Sequence, residues 1–185
     1  CEEHQLPAPI SFCYPGFLHS PKVVDVVAEL GFTFARRGVS PEYHDVSREF
    51  NGCGARGPAY DPRKDHPLLI PTTGYAGPEW TLNDLVWAVD QARDGKIASI
   101  CFHGVPCRSY PWVSTENEVF VGYMRYLRDA GCTVISMAEL TRYVNPEWVR
   151  GDPYESIDRH CRFSAVDPRC EYRDDPLGLD PPTPS

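Results

Sequence analysis

His103 ends the hydrophobic run Ile97, Ala98, Ile100, Cys101 and Phe102, and Gly104, Val105 and Pro106 turn the chain immediately after it. An imidazole at a strand end can give or take a proton near neutral pH, which is the work of a general acid or base. The plainer alternative is a histidine that caps the strand and bonds to backbone. Two other sets of reactive residues stand at similar turns. Tyr14, Pro15 and Gly16 close a segment that begins at Ser11, and Arg36 and Arg37 follow Phe32 to Ala35. The two guanidinium groups can grip a substrate oxygen or carboxylate, or can form a solvated rim. Glu79 and Trp80 place an acid beside an aromatic face.

The segments around these residues predict a repeated αβ step. The run 97–102, bounded by Gly95-Lys96 and Gly104, suits a strand buried on both faces, with His103 at its carboxyl end. In parallel α/β sheets the chemistry gathers on that edge, because strand ends and the following loops converge there. Ser20 and Pro21 open a helix with an apolar stripe of Val23, Val24, Val27 and Leu30, stopped by Gly31. Thr81 with Asp84 opens a second, carrying Leu82, Leu85, Val86 and Val89 towards Gly95. Thr115 with Glu118 opens a third, carrying Phe120, Tyr123, Met124 and Leu127 to Gly131. Each stop is followed by a short apolar strand: Phe32 to Ala35, the His103 strand, and Cys132 to Met137. Ser11 to Tyr14 and Leu68 to Ile70 complete five strands, and Ala138 to Tyr143 forms a last short helix. Repetition of this unit implies right-handed crossovers and a parallel sheet, open or rolled into a barrel. Five strands are few for a closed barrel.

The segment from Gly38 to His66 is rich in Pro and Gly and reads as a long excursion, a functional lid or a mobile segment. Its glycines match no phosphate-cradling motif, since no Gly-Lys-Ser/Thr follows them. From Asn145 the chain becomes rich in Pro and Asp, so residues 1–143 form the predicted domain and 144–185 an irregular tail.

With 185 residues and 42% hydrophobic content the chain can bury one core of ordinary size. A net charge of −8 argues against nucleic acid or an anionic membrane as partner, and no apolar run reaches the ~20 residues of a membrane span. A soluble protein is expected. Its eight cysteines lack C-x-x-C spacing, so no tetrahedral zinc site is expected from them. Most read as reduced thiols, while Cys161 and Cys170 can pair in an oxidising compartment. The chain begins at Cys1 without Met or a leader pattern, so its start is expected to have been lost and its localisation stays open.

Four segments together resemble the later half of a polysaccharide deacetylase (NodB-homology, carbohydrate esterase family 4-like) domain. They are Ser11-Phe12-Cys13-Tyr14-Pro15-Gly16, residues 29–37, Ile100-Cys101-Phe102-His103-Gly104-Val105-Pro106, and residues 126–135. The resemblance covers roughly residues 8 to 143. It implies a distorted (β/α) barrel whose N-terminal strands are missing, and a divalent metal, often zinc, held by an aspartate and two histidines in the full-length parent. It also implies that His103 protonates the leaving amine as an N-acetyl amide is hydrolysed. By the same resemblance Tyr14, with Pro15 and Gly16, lines the acetate pocket, Glu79 orients His103 and Trp80 walls the site; Arg37, from its own place after a strand, is expected to meet the substrate.

The family's early strand ending in an Asp-Asp pair and its His-x-x-x-His are not in this chain, so no metal is expected to bind it. The expected substrate is a carbohydrate or small amide. Three readings stay open: a truncated amidohydrolase acting on N-acetylated sugars, a relative acting on cyclic amides or ureides, and an inactive carbohydrate-binding relic. For the last, Tyr14, Tyr75, Trp80 and Trp112 are the candidate stacking faces.

Overall fold

Proline and glycine punctuate the helices as the sequence predicts. In the computed structural model, which describes residues 7–39, 56–149 and 151–153, helix α1 spans Pro21–Glu29. Ser20 accepts a bond from the Val23 amide, and Gly31 stops the helix at φ +81°. Helix α2 (Leu82–Asp90) starts from a capping box between Thr81 and Asp84. Arg56 pairs with the same Asp84 and lies 4.7 Å over the Trp87 ring, tying the end of the long excursion to α2. Helix α3 spans Asn117–Asp129.

The strands are shorter than the apolar runs that announce them. β1 (Ser11–Cys13) pairs in parallel with β2 (Phe34–Arg36), with Phe12 opposite Ala35. β3 (Gly74–Tyr75) pairs in parallel with β4 (Ile100–Cys101). A parallel bridge from Arg36 to Ile70 joins the two pairs, and the Arg37 amide donates to the Ile70 carbonyl at 2.8 Å. The stretch from Ile70 to Tyr75 therefore bonds to β2 at its start and to β4 at its end. Parallel neighbours follow one another in chain order. Among the described residues these strands do not close into a barrel.

Successive strand residues point to opposite faces, and β2 shows what this does to packing. Ala35 joins Tyr14, Val24, Val27, Leu68 and Leu69 beneath α1, whereas Phe34 joins Tyr60, Ile70, Leu140 and Val144 on the other side. A third cluster holds Trp80, Leu85, Ala88 and Tyr123 between α2 and α3.

Four expectations change. Leu68 to Ile70 is not a strand: Pro67–Leu69 forms a 3-10 turn, capped by His66, because Pro67 has no amide to give a ladder. Pairing begins at Ile70 and the strand appears at Gly74. The His103 strand shrinks to Ile100–Cys101 and is only half-buried, since among the described residues no strand pairs on its far side. The expected strand Cys132 to Met137 lacks a strand neighbour as well: residues 132–136 stay irregular, with Val134 exposed. The last short helix is a 3-10 helix, Met137–Arg142, with Ser136 and Glu139 as its capping box. Residues 40–55 of the excursion, Cys161 and Cys170 lie outside the described residues, as does most of the tail. No described helix is long and apolar enough to cross a membrane.

Candidate functional site

Two groups of side chains occupy the carboxyl ends of the strands. At β1 and β2 the groups are closed in. Tyr14 is 1% exposed, and its hydroxyl donates to the Leu68 carbonyl at 2.9 Å. Burial pushes that hydroxyl above the ordinary tyrosine range. Arg37 is also 1% exposed, with Nε donating to the Leu69 carbonyl at 3.2 Å and Nη1 to the Gly38 carbonyl at 3.3 Å. It is not a solvated rim. Its neighbour Arg36 donates to Thr72 Oγ1 at 2.6 Å and to Cys13 Sγ at 2.8 Å.

His19 packs 5.2 Å from the Tyr14 ring. Burial first, and the positive charge of Arg37 second, pull its pKa down to about 3, so it is neutral near pH 7. Pro15 and Gly16 form an exposed 3-10 turn with Phe17, whose ring meets the Tyr75 ring edge-on at 5.1 Å. This contact links the β1 turn to the end of β3.

At β3 and β4 the arrangement opens outward. Trp80 itself is buried: its indole lies over Gly74, where an added Cβ would stand 2.5 Å from the ring. Tyr123 bonds to the Trp80 carbonyl and meets its ring edge-on at 5.9 Å. Trp80 thus supports the rim from below and does not wall it. Glu79 is exposed, and among the described residues it makes no hydrogen bond or ion pair with His103, so its orienting role gains no contact here.

His103 is exposed on the loop after β4. Its ring stands edge-on to Tyr110 at 6.2 Å, and Tyr110 stands edge-on to Trp112 at 5.4 Å. Tyr110 is 50% and Trp112 66% exposed, an unusual degree for large aromatics in contact with one another. The loop is closed at its neck, where the Thr115 amide donates to the Gly104 carbonyl at 3.0 Å and Ser114 Oγ accepts from the Cys107 amide at 2.9 Å. Cys107 comes so close to Gly104 that no side chain fits at that position. A cleft of about 490 Å³ is lined by Gly77, Pro78, Arg108, Pro111, Thr115 and Glu116 among others, and none of His103, Tyr110 and Trp112 is part of that lining.

The structure brings His103 together with Tyr110 and Trp112, and Tyr14 together with His19 and Arg37. No contact joins the two sets among the described residues. Tyr110 was legible only as part of Tyr110-Pro111-Trp112, an aromatic pair around a proline in the loop after His103. Among the described residues no group of three or more His, Cys, Asp or Glu is placed to hold a metal ion, so these residues do not fit the metal that the resemblance implies. Neither a scan against protein-family models nor searches of curated proteins and of solved structures finds a match to this chain. The described residues at this end offer an accessible imidazole, exposed aromatic rings and a cleft.

Proposed function

We propose that this chain is part of a polysaccharide deacetylase-like hydrolase that cleaves the carbon–nitrogen bond of N-acetylated sugars. The observation that carries the reading is His103, exposed at the carboxyl end of β4 and in line with two exposed aromatic rings. Hydrolysis breaks the amide C–N bond, water supplies the oxygen of the released acetate, and the leaving nitrogen takes up a proton. His103 delivers that proton. Aromatic faces suit the apolar faces of sugar rings. Parallel strands paired in chain order support the distorted (β/α) barrel. Tyr14 and Arg37 serve as scaffold beneath the Pro15-Gly16 turn, and the divalent metal belongs to the full-length parent.

The test is acetate release from an N-acetylglucosamine oligomer by the protein as its gene encodes it and by its His103→Ala variant. The expected result is release by the parent and about a thousandfold loss in the variant, with metal content unchanged. Equal rates would remove the acid role of His103.

A carbohydrate-binding domain without turnover is the second reading, favoured by the exposed Tyr110 and Trp112. Sugar binding by the parent with no acetate release selects it. Action on cyclic amides or ureides calls for a small closed pocket under the 38–66 excursion, of which residues 40–55 lie outside the described residues.

A further inference from the structure

We infer that two copies of this chain pair about a two-fold axis at the rim after β4, each setting Trp112 into the other's cleft and Arg108 against the other's Glu116. The pairing goes beyond the carbohydrate reading and does not rest on it.

The first reason is the way Trp112 is presented. It is the middle residue of a 3-10 turn, Pro111–Val113, in which the Val113 amide donates to the Tyr110 carbonyl at 3.1 Å and the Ser114 amide to the Pro111 carbonyl at 3.2 Å. Val113 and Ser114 are buried, whereas Trp112 and Tyr110 are exposed. With the neck of the loop closed as well, the indole is held out in water on a backbone already fixed, which lowers the ordering cost of using it in a contact. Trp, Tyr and Arg are the residues that most often carry the binding energy of an interface.

The cleft is the second reason. Its apolar lining is Pro78, Pro106, Pro111 and the exposed Val119. Trp112 is no part of that lining, so the indole of one copy can enter the cleft of another without first leaving its own. Cleft and anchor adjoin at Pro111 and Trp112. A two-fold interface requires this, because each copy offers the same patch and the patch must hold both halves of every contact.

Charge is the third reason, and it selects a second copy over an unrelated partner. Arg108 and Glu116 both line the cleft and both are exposed, yet among the described residues neither forms an ion pair. An unpaired cation and an unpaired anion beside one apolar hollow make a surface that complements itself, and about a two-fold axis the Arg108–Glu116 pair occurs twice. The net charge of −8 opposes approach at long range, but physiological salt screens it beyond about 8 Å. Pairing covers Tyr110 and Trp112, so the dimer is a closed form of the rim.

Sedimentation velocity over a concentration series up to about 1 mM tests the pairing. A monomer–dimer equilibrium that stops at two copies is expected. Trp112→Ala should raise its dissociation constant about thirtyfold. Arg108→Glu and Glu116→Arg should each raise it about tenfold, and the double variant should return it to within about threefold of the unaltered chain. Circular dichroism checks that each variant folds; if Glu116→Arg disturbs α3, Arg108→Glu and Trp112→Ala decide. A monomer throughout the series, a dimer that Trp112→Ala leaves intact, or charge reversals whose effects simply add overturns the inference. Growth past two copies overturns it too, since a two-fold contact closes. The two proposals fail separately. Acetate release by a protein that stays monomeric sinks the pairing alone, while the expected dimer without acetate release from any form sinks the hydrolase alone.

Discussion

The ends of β1 and β2 and those of β3 and β4 hold corresponding places in one parallel ladder, and they differ in what their polar side chains are free to do. Behind β1 and β2 the segment Pro67–Leu69 crosses close to the strand ends and offers the carbonyls of Leu68 and Leu69, which absorb the Tyr14 hydroxyl and the Arg37 guanidinium. Behind β4 the chain leaves in a loop fastened at its neck, between Gly104 and Thr115, and nothing described crosses above it. His103, Tyr110 and Trp112 stay in solvent. Position at a strand end therefore offers a side chain to chemistry only where no later segment uses it first. The first end is used up as structure, and the second is the one the proposed chemistry calls on.

Exchanging the roles of the two ends would break this comparison. The largest effect is expected for His103→Ala, which should lower turnover of the parent about a thousandfold and change denaturant stability by less than about 0.5 kcal/mol. A stability loss equal to that of a buried residue would place His103 with the closed end. Arg37→Met should do the reverse: a loss of about 3 kcal/mol in a urea titration, because the Leu69 and Gly38 carbonyls lose their donor inside the protein.

His19 sharpens the contrast through pH. Its pKa is about 3 when folded against 6.5 in a free chain, so between those values the unfolded chain binds the extra proton. Stability is then full above about pH 6.5 and falls as the solution is acidified towards pH 3, by about 1.4 kcal/mol per pH unit at its steepest. His19→Leu should flatten that slope in melts recorded across the range. The smallest effect is expected from Tyr14→Phe, about 1 kcal/mol for one buried hydrogen bond, with sugar binding unchanged. Lost sugar binding in that variant would instead return Tyr14 to the site.

Local signals in the sequence carried the helices. Ser20-Pro21, the Thr81–Asp84 pair and the stops at Gly31 and Gly131 each act within one turn, and both glycines take positive φ, whereas α2 ends at Asp90, short of the expected stop at Gly95. Strand extent needs a neighbour, and no local signal supplies one. Cys132 to Met137 is as apolar as Phe32 to Ala35, yet the second segment has β1 and Ile70 beside it and the first has no paired strand among the described residues. The same limit governs the site. His103 was legible from the run it terminates, but the closure of Tyr14 depends on Leu68, 54 residues away. Thr115 and Glu118 have the spacing of a capping pair, and only the later start of α3 leaves the buried Thr115 hydroxyl without the expected cap bond.

The stretch from Ile70 to Gly74 gives its amides to two partners at once, with Ile70 bonded to Ala35, Thr72 to Gly38, and Thr73 and Gly74 to Ser99. Each of these residues is buried. In deuterated water these hydrogens should be among the last to exchange, since releasing them means parting β2 and β4 from the same strand together. The closed end and the open end then share one opening event, and the exposed row of His103, Tyr110 and Trp112 is carried on the slowest-breathing part of the chain.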